Sequence, residues 1–169
     1  MTWTPRHAAA AAATLAIAAT AALGGAASAT AGSCTPGVKT IKGGFQRTFC
    51  GPAKVTVKVG GRTITLSQGS CEKTSGYLAV NIGVFSSTPT PSSRPNYFGL
   101  VVGRAPGSST PPAPRDGTYR SGIVMTMVYR GTGYSAVGNV TATLSGNRTR
   151  GVVTGTTLTH QTMTANFHC

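Results

Sequence analysis

The last eight residues, 162–169, set the strongest constraint on what this chain can fold into. Met163, Ala165, Phe167 and Cys169 alternate with Thr162, Thr164, Asn166 and His168, the period of two that a β-strand with one buried face requires. The cysteine falls on the apolar side, so the final residue points inward, where it can tie the end of the chain to another strand. Just upstream, Val140, Ala142 and Leu144 alternate with Thr141, Thr143 and Ser145, and Gly146-Asn147 reads as a two-residue turn into a strand over 148–158. An earlier pair has the same form. Val55, Val57 and Val59 alternate with Lys54, Thr56 and Lys58, Gly60-Gly61 follows, and then Ile64 and Leu66 alternate with Thr63, Thr65 and Ser67. Two alternating runs around Gly-Gly predict a β-hairpin, because both turn residues take positive φ at no steric cost.

After a short amino-terminal arm over 38–41, further strands are expected over 76–84, 97–102 and 118–130. In the last of these Ile123, Met125, Met127 and Tyr129 share one face and Val124 and Val128 the other, which predicts a strand covered on both sides. Two Pro/Ser/Thr loops, 86–95 and 103–117, separate these segments; proline lacks the ladder donor and keeps them out of the sheet. No stretch of the mature chain shows an amphipathic helical pattern. The fold class that follows is all-β: an antiparallel sandwich or barrel of about eight short strands, stapled by disulfides.

Ahead of that domain lies a targeting segment. Arg6 precedes an Ala-dominated run with Leu15, Ile17 and Leu23, and small residues continue to Ala31. A basic start, an apolar centre and a small-residue site describe a secretory signal peptide over 1–31, cleaved after Ala29 or Ala31. Residues 32–169 then make a single β-rich domain, long enough for a real core. Gly24-Gly25 interrupts the apolar run before the ~20 residues a membrane span needs, so no transmembrane segment is expected in the mature chain, which is secreted or held at the cell envelope. Cys34, just past the signal, raises lipid attachment. Gly32 and Ser33 suit a lipoprotein signal, but Ala31 stands where that signal has Leu. Lipidation would also leave an odd thiol among four cysteines, and both observations disfavour it.

An exported chain keeps its cysteines oxidised, and without a C-x-x-C pair no zinc site is expected. Four cysteines allow three connectivities. The favoured one pairs Cys34 with Cys50, clamping a short amino-terminal arm, and Cys71 with Cys169, joining an early strand to the last.

Fifteen Lys and Arg stand against two acidic residues, a formal charge of +13, reduced by one when Arg6 is removed. Such a field attracts polyanions: anionic wall polymers, phospholipid head groups or nucleic acid. Lys54, Lys58 and Arg62 read as one basic cluster on the wet side of the hairpin. The other basic residues are scattered with few aromatics among them, so specific nucleic-acid recognition is not expected. A nucleophile needs a base held within reach, and the candidates are sparse: Glu72, Asp116, His160 in a Thr-rich turn and His168 on the outward face of the last strand. The expectation is a non-enzymatic protein without cofactor or metal. Its hydrolytic alternative is a small basic ribonuclease using Glu72 with His160 or His168.

The segment Gly76-Tyr77-Leu78-Ala79-Val80-Asn81-Ile82-Gly83 after a cysteine, the Gly131-Thr132-Gly133 turn, the alternation over 139–145 and Val153-Thr154-Gly155-Thr156 resemble the mycobacterial LpqH-type lipoprotein antigens. The ending 163–169 is similar to that family's terminal strand with its last cysteine, and the resemblance spans about residues 55–169. It implies an actinobacterial, envelope-associated protein without catalysis, recognised by host surface receptors, with Cys71 bridged to Cys169. The chain departs from the family in its signal, in the extra Cys50 and in its strong positive charge.

Overall fold

Alternation in the sequence becomes alternation in burial. In β3 (Ala53–Val59) the residues Ala53, Val55, Val57 and Val59 are buried while Lys54 and Lys58 face water; in β11 (Thr162–His168) Met163, Ala165 and Phe167 are buried while Thr162, Asn166 and His168 are exposed. The computed structural model describes residues 34–104 and 109–169, which fall within one unit. The expected signal peptide and both of its cleavage sites lie outside the described residues. The remaining strands are β1 (Gly37–Ile41), β2 (Gly44–Phe49), β4 (Arg62–Lys73), β5 (Tyr77–Ser86), β6 (Tyr97–Gly103), β7 (Gly117–Tyr119), β8 (Ile123–Tyr129), β9 (Thr132–Ser145) and β10 (Arg150–Thr157).

Eight of these close on themselves in the order β5-β4-β3-β11-β10-β9-β8-β6, and β6 returns to β5; every pairing is antiparallel. The fold is therefore a closed barrel rather than a sandwich. Leu78, Val80, Ile82, Phe98, Met125 and Val153 project into it and are fully buried, which fits the narrow interior of an eight-stranded barrel. Bending that many strands round a small circle needs bulges. One lies in β4, where Ala53 pairs with Gly69 but Val55 with Leu66, and Gln68 between them takes φ +63°. Another lies in β9 at Asn139, φ +50°, where the register against β10 shifts. Gly151 is needed for a different reason: a Cβ there would stand 2.7 Å from both the Phe167 ring and the Thr143 carbonyl oxygen.

Three strands lie outside the circuit. β7 pairs only with β9. The β1–β2 hairpin continues the sheet from the last four residues of β5, where Gly83 pairs with Phe49 and Ser86 with Gln46. The sequence reading did not foresee β2, because its apolar Phe45 and Phe49 lie on the outer face beside Arg47 rather than over the core.

Three expectations need correction. The segment 118–130 is two strands, and β8 is covered on the inside alone along much of its length: Val128 is buried on its outer face, but Val124 is 58% exposed. The connection from β9 to β10 is four residues long, since Ser145 pairs with Arg150, and Gly146, Asn147 and Arg148 are all left-handed at φ +64°, +57° and +58°. Arg62 does not share the face of Lys54 and Lys58. It pairs with Val59, and residues directly opposite in an antiparallel pair point to the same side, so it leaves β4 on the interior side and is exposed because it stands at the hairpin tip.

The odd β9–β10 connection is explained by Asp116, whose carboxylate accepts the backbone N–H groups of Asn147 at 2.9 Å and Arg148 at 2.6 Å. Those bonds hold the carboxyl below the usual carboxylate range. A depressed folded-state value stabilises the fold above the unfolded-chain value of about 3.9, and the contribution disappears as pH falls through the folded value. Asp116→Asn is therefore expected to melt below the wild type at pH 6, and the gap should close on acidification toward about pH 2. A gap independent of pH across that range would show that the charge on Asp116 has no part in holding the turn.

Candidate functional site

On the outside of the barrel, β3, β11 and β10 lie side by side, and their register aligns the polar residues in rows. Lys54 stands opposite His168, and His168 opposite Arg150; two residues further, Thr56, Asn166 and Val152 align; then Lys58, Thr164 and Thr154. Lys54, Lys58, Arg150 and His168 are exposed. Directly opposed residues carry their Cβ atoms about 4.5–5.5 Å apart, so Lys54 and Arg150 flank the His168 side chain closely. Threonine pairs frame the rows, with Thr56–Thr65 hydroxyl oxygens at 3.3 Å and Thr154–Thr164 at 3.4 Å. Neither acidic residue lies on these three strands: Glu72 is on β4 and Asp116 precedes β7. A file of basic groups with no carboxylate among them, set in a field of hydroxyls, can hold an extended anion. Of the residues singled out from sequence, Lys54, Lys58 and His168, the last weighed for catalysis, belong to this face. Arg150 joins them through the register, and Arg62 meets Lys58 only at the hairpin tip, where both line a shallow hollow with Thr162 and Thr164.

The residues weighed for catalysis are not brought together. Glu72 accepts the hydroxyl proton of Tyr77, which raises the phenol above its ordinary value. Asp116 is occupied by the β9–β10 turn. His160 sits in the β10–β11 turn with its N–H on the Thr157 carbonyl at 3.0 Å, at the opposite end of the barrel from Asp116. His168 faces water between Lys54 and Arg150. Among the described residues no group of three His, Cys, Asp or Glu is placed to hold a metal.

The structure joins Cys34 to Cys50 and Cys71 to Cys169, each with Cα atoms 5.7 Å apart. The first bridge spans the β1–β2 hairpin; the second ties β4 to the end of the chain. With its sulfur in the bridge, Cys34 has no thiol to carry a lipid in this state.

Two features had no counterpart in the sequence reading. One is an aromatic stripe on the outer face of β2, β5 and β6, where Phe45, Phe85, Tyr97 and Phe49 follow one another with ring centroids 5.9, 5.4 and 6.0 Å apart. The Arg47 guanidinium lies 4.9 Å from the Phe49 ring centroid. Burial pushes the Tyr97 phenol up to about 12, and its hydroxyl donates to the Asn81 side-chain oxygen at 2.6 Å. The other is a hollow of about 360 Å³ at the end where β5, β8 and β10 finish, bounded by Phe85, Tyr97, Met127, Val128, Tyr134 and Leu158 with Arg94 at its edge. Leu158 interrupts the Thr run of 156–159 and is 74% exposed, the one sequence signal that marks this end. No protein family, characterised protein or solved structure matches the chain.

Proposed function

We propose that this is an exported, non-enzymatic protein of the cell envelope or its surroundings, of the kind the resemblance to the LpqH-type antigens implies, and that it works by binding an anionic polymer. The observation that carries this reading is the row Lys54–His168–Arg150, with Lys58 four residues along β3, on a face without an acidic side chain. Lys54 and Arg150 flank His168 on neighbouring strands, and a polyanion laid across them meets both charges while releasing its own condensed counterions. The two disulfides suit an oxidising compartment, and the signal at 1–31 supplies the route there.

Binding to a sulfated or phosphorylated polysaccharide, measured across a salt series, tests the assignment. Lys54→Glu/Lys58→Glu is expected to bind at least tenfold more weakly, with the slope of log K against log salt reduced by about two. Lys39→Glu/Arg47→Glu changes the net charge equally but lies on the β1–β2 hairpin, and it should alter affinity by less than threefold. Equal losses in the two variants would mean that net charge alone is being read, and the face would have no special role.

A further inference from the structure

The hollow at the open end of the barrel has the make-up of a ligand site. Phe85, Tyr97, Tyr134 and Leu158 supply apolar wall, and Thr126 and Ser135 add hydroxyls. Arg94 is the charged residue of the lining, and no acid accompanies it. Its guanidinium is fixed in place, with Nε donating to the Thr88 carbonyl at 2.5 Å and Nη2 to the Pro89 carbonyl at 3.1 Å. A cation already ordered by its own loop loses little rotamer freedom when an anion arrives. Small-ligand sites are mostly apolar with a few placed polar groups and start near 300 Å³; this one, at about 360 Å³, is at the small end. At the roughly 30 Å³ that a water-sized group occupies in a liquid, it has room for about a dozen non-hydrogen atoms.

We propose that this hollow binds one free medium-chain alkyl carboxylate. Its chain lies against Phe85, Tyr134 and Leu158, and its carboxylate is held at the rim by Arg94. Three observations select that ligand. The volume matches one chain of about ten carbons with its head group, and it is too small for a two-chain lipid. The wall is apolar, and Leu158 stands exposed at its edge although leucine favours burial, so an alkyl chain removes apolar surface from water on both partners. The rim charge is positive and unopposed in a strongly basic protein, which favours an anionic head over a neutral or cationic one.

Titration of the folded, disulfide-bonded protein with decanoate, followed by calorimetry, is the direct test. Saturable one-to-one binding is expected, with octanoate roughly fifteenfold weaker, since each buried methylene is worth about fourfold in Kd. Arg94→Gln should weaken decanoate at least tenfold and leave decanol unchanged. Leu158→Asp, at a position exposed enough to spare the fold, should weaken decanoate at least tenfold without lowering the melting temperature. The methyl resonances of Leu158 should shift on binding, which reports on the site in the unmodified protein even if a variant folds poorly. Absence of binding at millimolar decanoate, or equal affinity for octanoate and decanoate, would overturn the proposal. So would unmoved Leu158 methyl signals, or decanoate affinity that Arg94→Gln leaves intact.

Discussion

Replacing Cys71 and Cys169 together by Ser lowers global stability by about 4–5 kcal/mol, whereas the same exchange at Cys34 and Cys50 leaves the barrel's melting transition nearly unmoved. The bridges differ first in the chain they close. Cys71 and Cys169 are 98 residues apart and Cys34 and Cys50 are 16 apart, so loop-closure entropy assigns about 4–5 kcal/mol to the first and about 3 kcal/mol to the second. They differ more in where that restriction acts. Cys169 ends the strand between β3 and β10, and its N–H donates to the Thr149 carbonyl at 2.7 Å. The long bridge therefore fastens the last turn of the closed circuit to β4. The short bridge encloses β1 and β2, which attach to the barrel at one edge only, through four residue pairs with β5, the Phe45–Phe85 and Phe49–Tyr97 ring contacts and hydrogen bonds between Phe45 and Ser87. An appended hairpin of that kind opens on its own at low free energy cost, so freeing it shifts a local equilibrium. Against a typical total of 5–15 kcal/mol, the first exchange brings the protein close to unfolding, with a fall in melting temperature of about 15 °C. Circular dichroism melting of the two double variants checks the global effect, and amide exchange in β1 and β2 checks the local one. Equal falls in melting temperature would mean that the hairpin and the barrel unfold as one unit.

What the sequence made legible followed from burial. β3, the first half of β4, the second half of β9 and β11 each present a more buried and a wetter face, and there a period of two names the inward residues one by one. Closure was not legible in the same way. Whether these strands make a sandwich or a barrel depends on β6 pairing with both β5 and β8 and on bulges at Gln68 and Asn139, and a polar residue that takes positive φ looks like any other in the sequence. The strand β2 has Arg47 between Phe45 and Phe49 on its outer side and only Gly44, Gln46 and Thr48 on the other, so it lacked the apolar alternation that identifies β3. Arg62 was assigned to the wrong side although the information was present. A two-residue Gly-Gly turn makes Val59 and Arg62 directly opposed, which puts Arg62 on the valine side whatever its charge. The basic face was half visible, in Lys54 and Lys58. Arg150 and His168 reach it only through the register of β3, β11 and β10, and a row across three strands has no linear signature. The hollow is harder still, because the ends of five strands and a proline loop build it and none of them carries more than a few of its residues.

Arg148→Met is expected to cost about 3 kcal/mol, more than any other arginine exchange in the described chain. This guanidinium is 8% exposed and closes the Cys169 end of the barrel without a carboxylate partner on its side chain. Its Nη1 donates to the carbonyls of Thr74 at 2.7 Å, Tyr77 at 3.2 Å and Ala113 at 3.1 Å, drawing the β4–β5 turn and the loop before β7 onto one cation. Methionine matches the length but not the donors, so it leaves these carbonyls without the cation, and each buried acceptor left unmet costs about 1–3 kcal/mol. Part of that loss is offset, because the buried Nε has no partner and its desolvation no longer has to be met. The balance corresponds to a fall in melting temperature of about 10 °C. Backbone strain offers a competing explanation, since Arg148 holds φ +58°, where residues with a Cβ are disfavoured. Arg148→Gly separates the two: it relieves the strain and still removes the cation. If the hydrogen-bonded guanidinium is what holds this end together, Arg148→Gly loses about as much as Arg148→Met, and Arg148→Lys, with one ammonium in place of a fork, recovers part of the loss. A glycine variant as stable as the wild type would mean that the turn's conformation, not the cation, limits stability here.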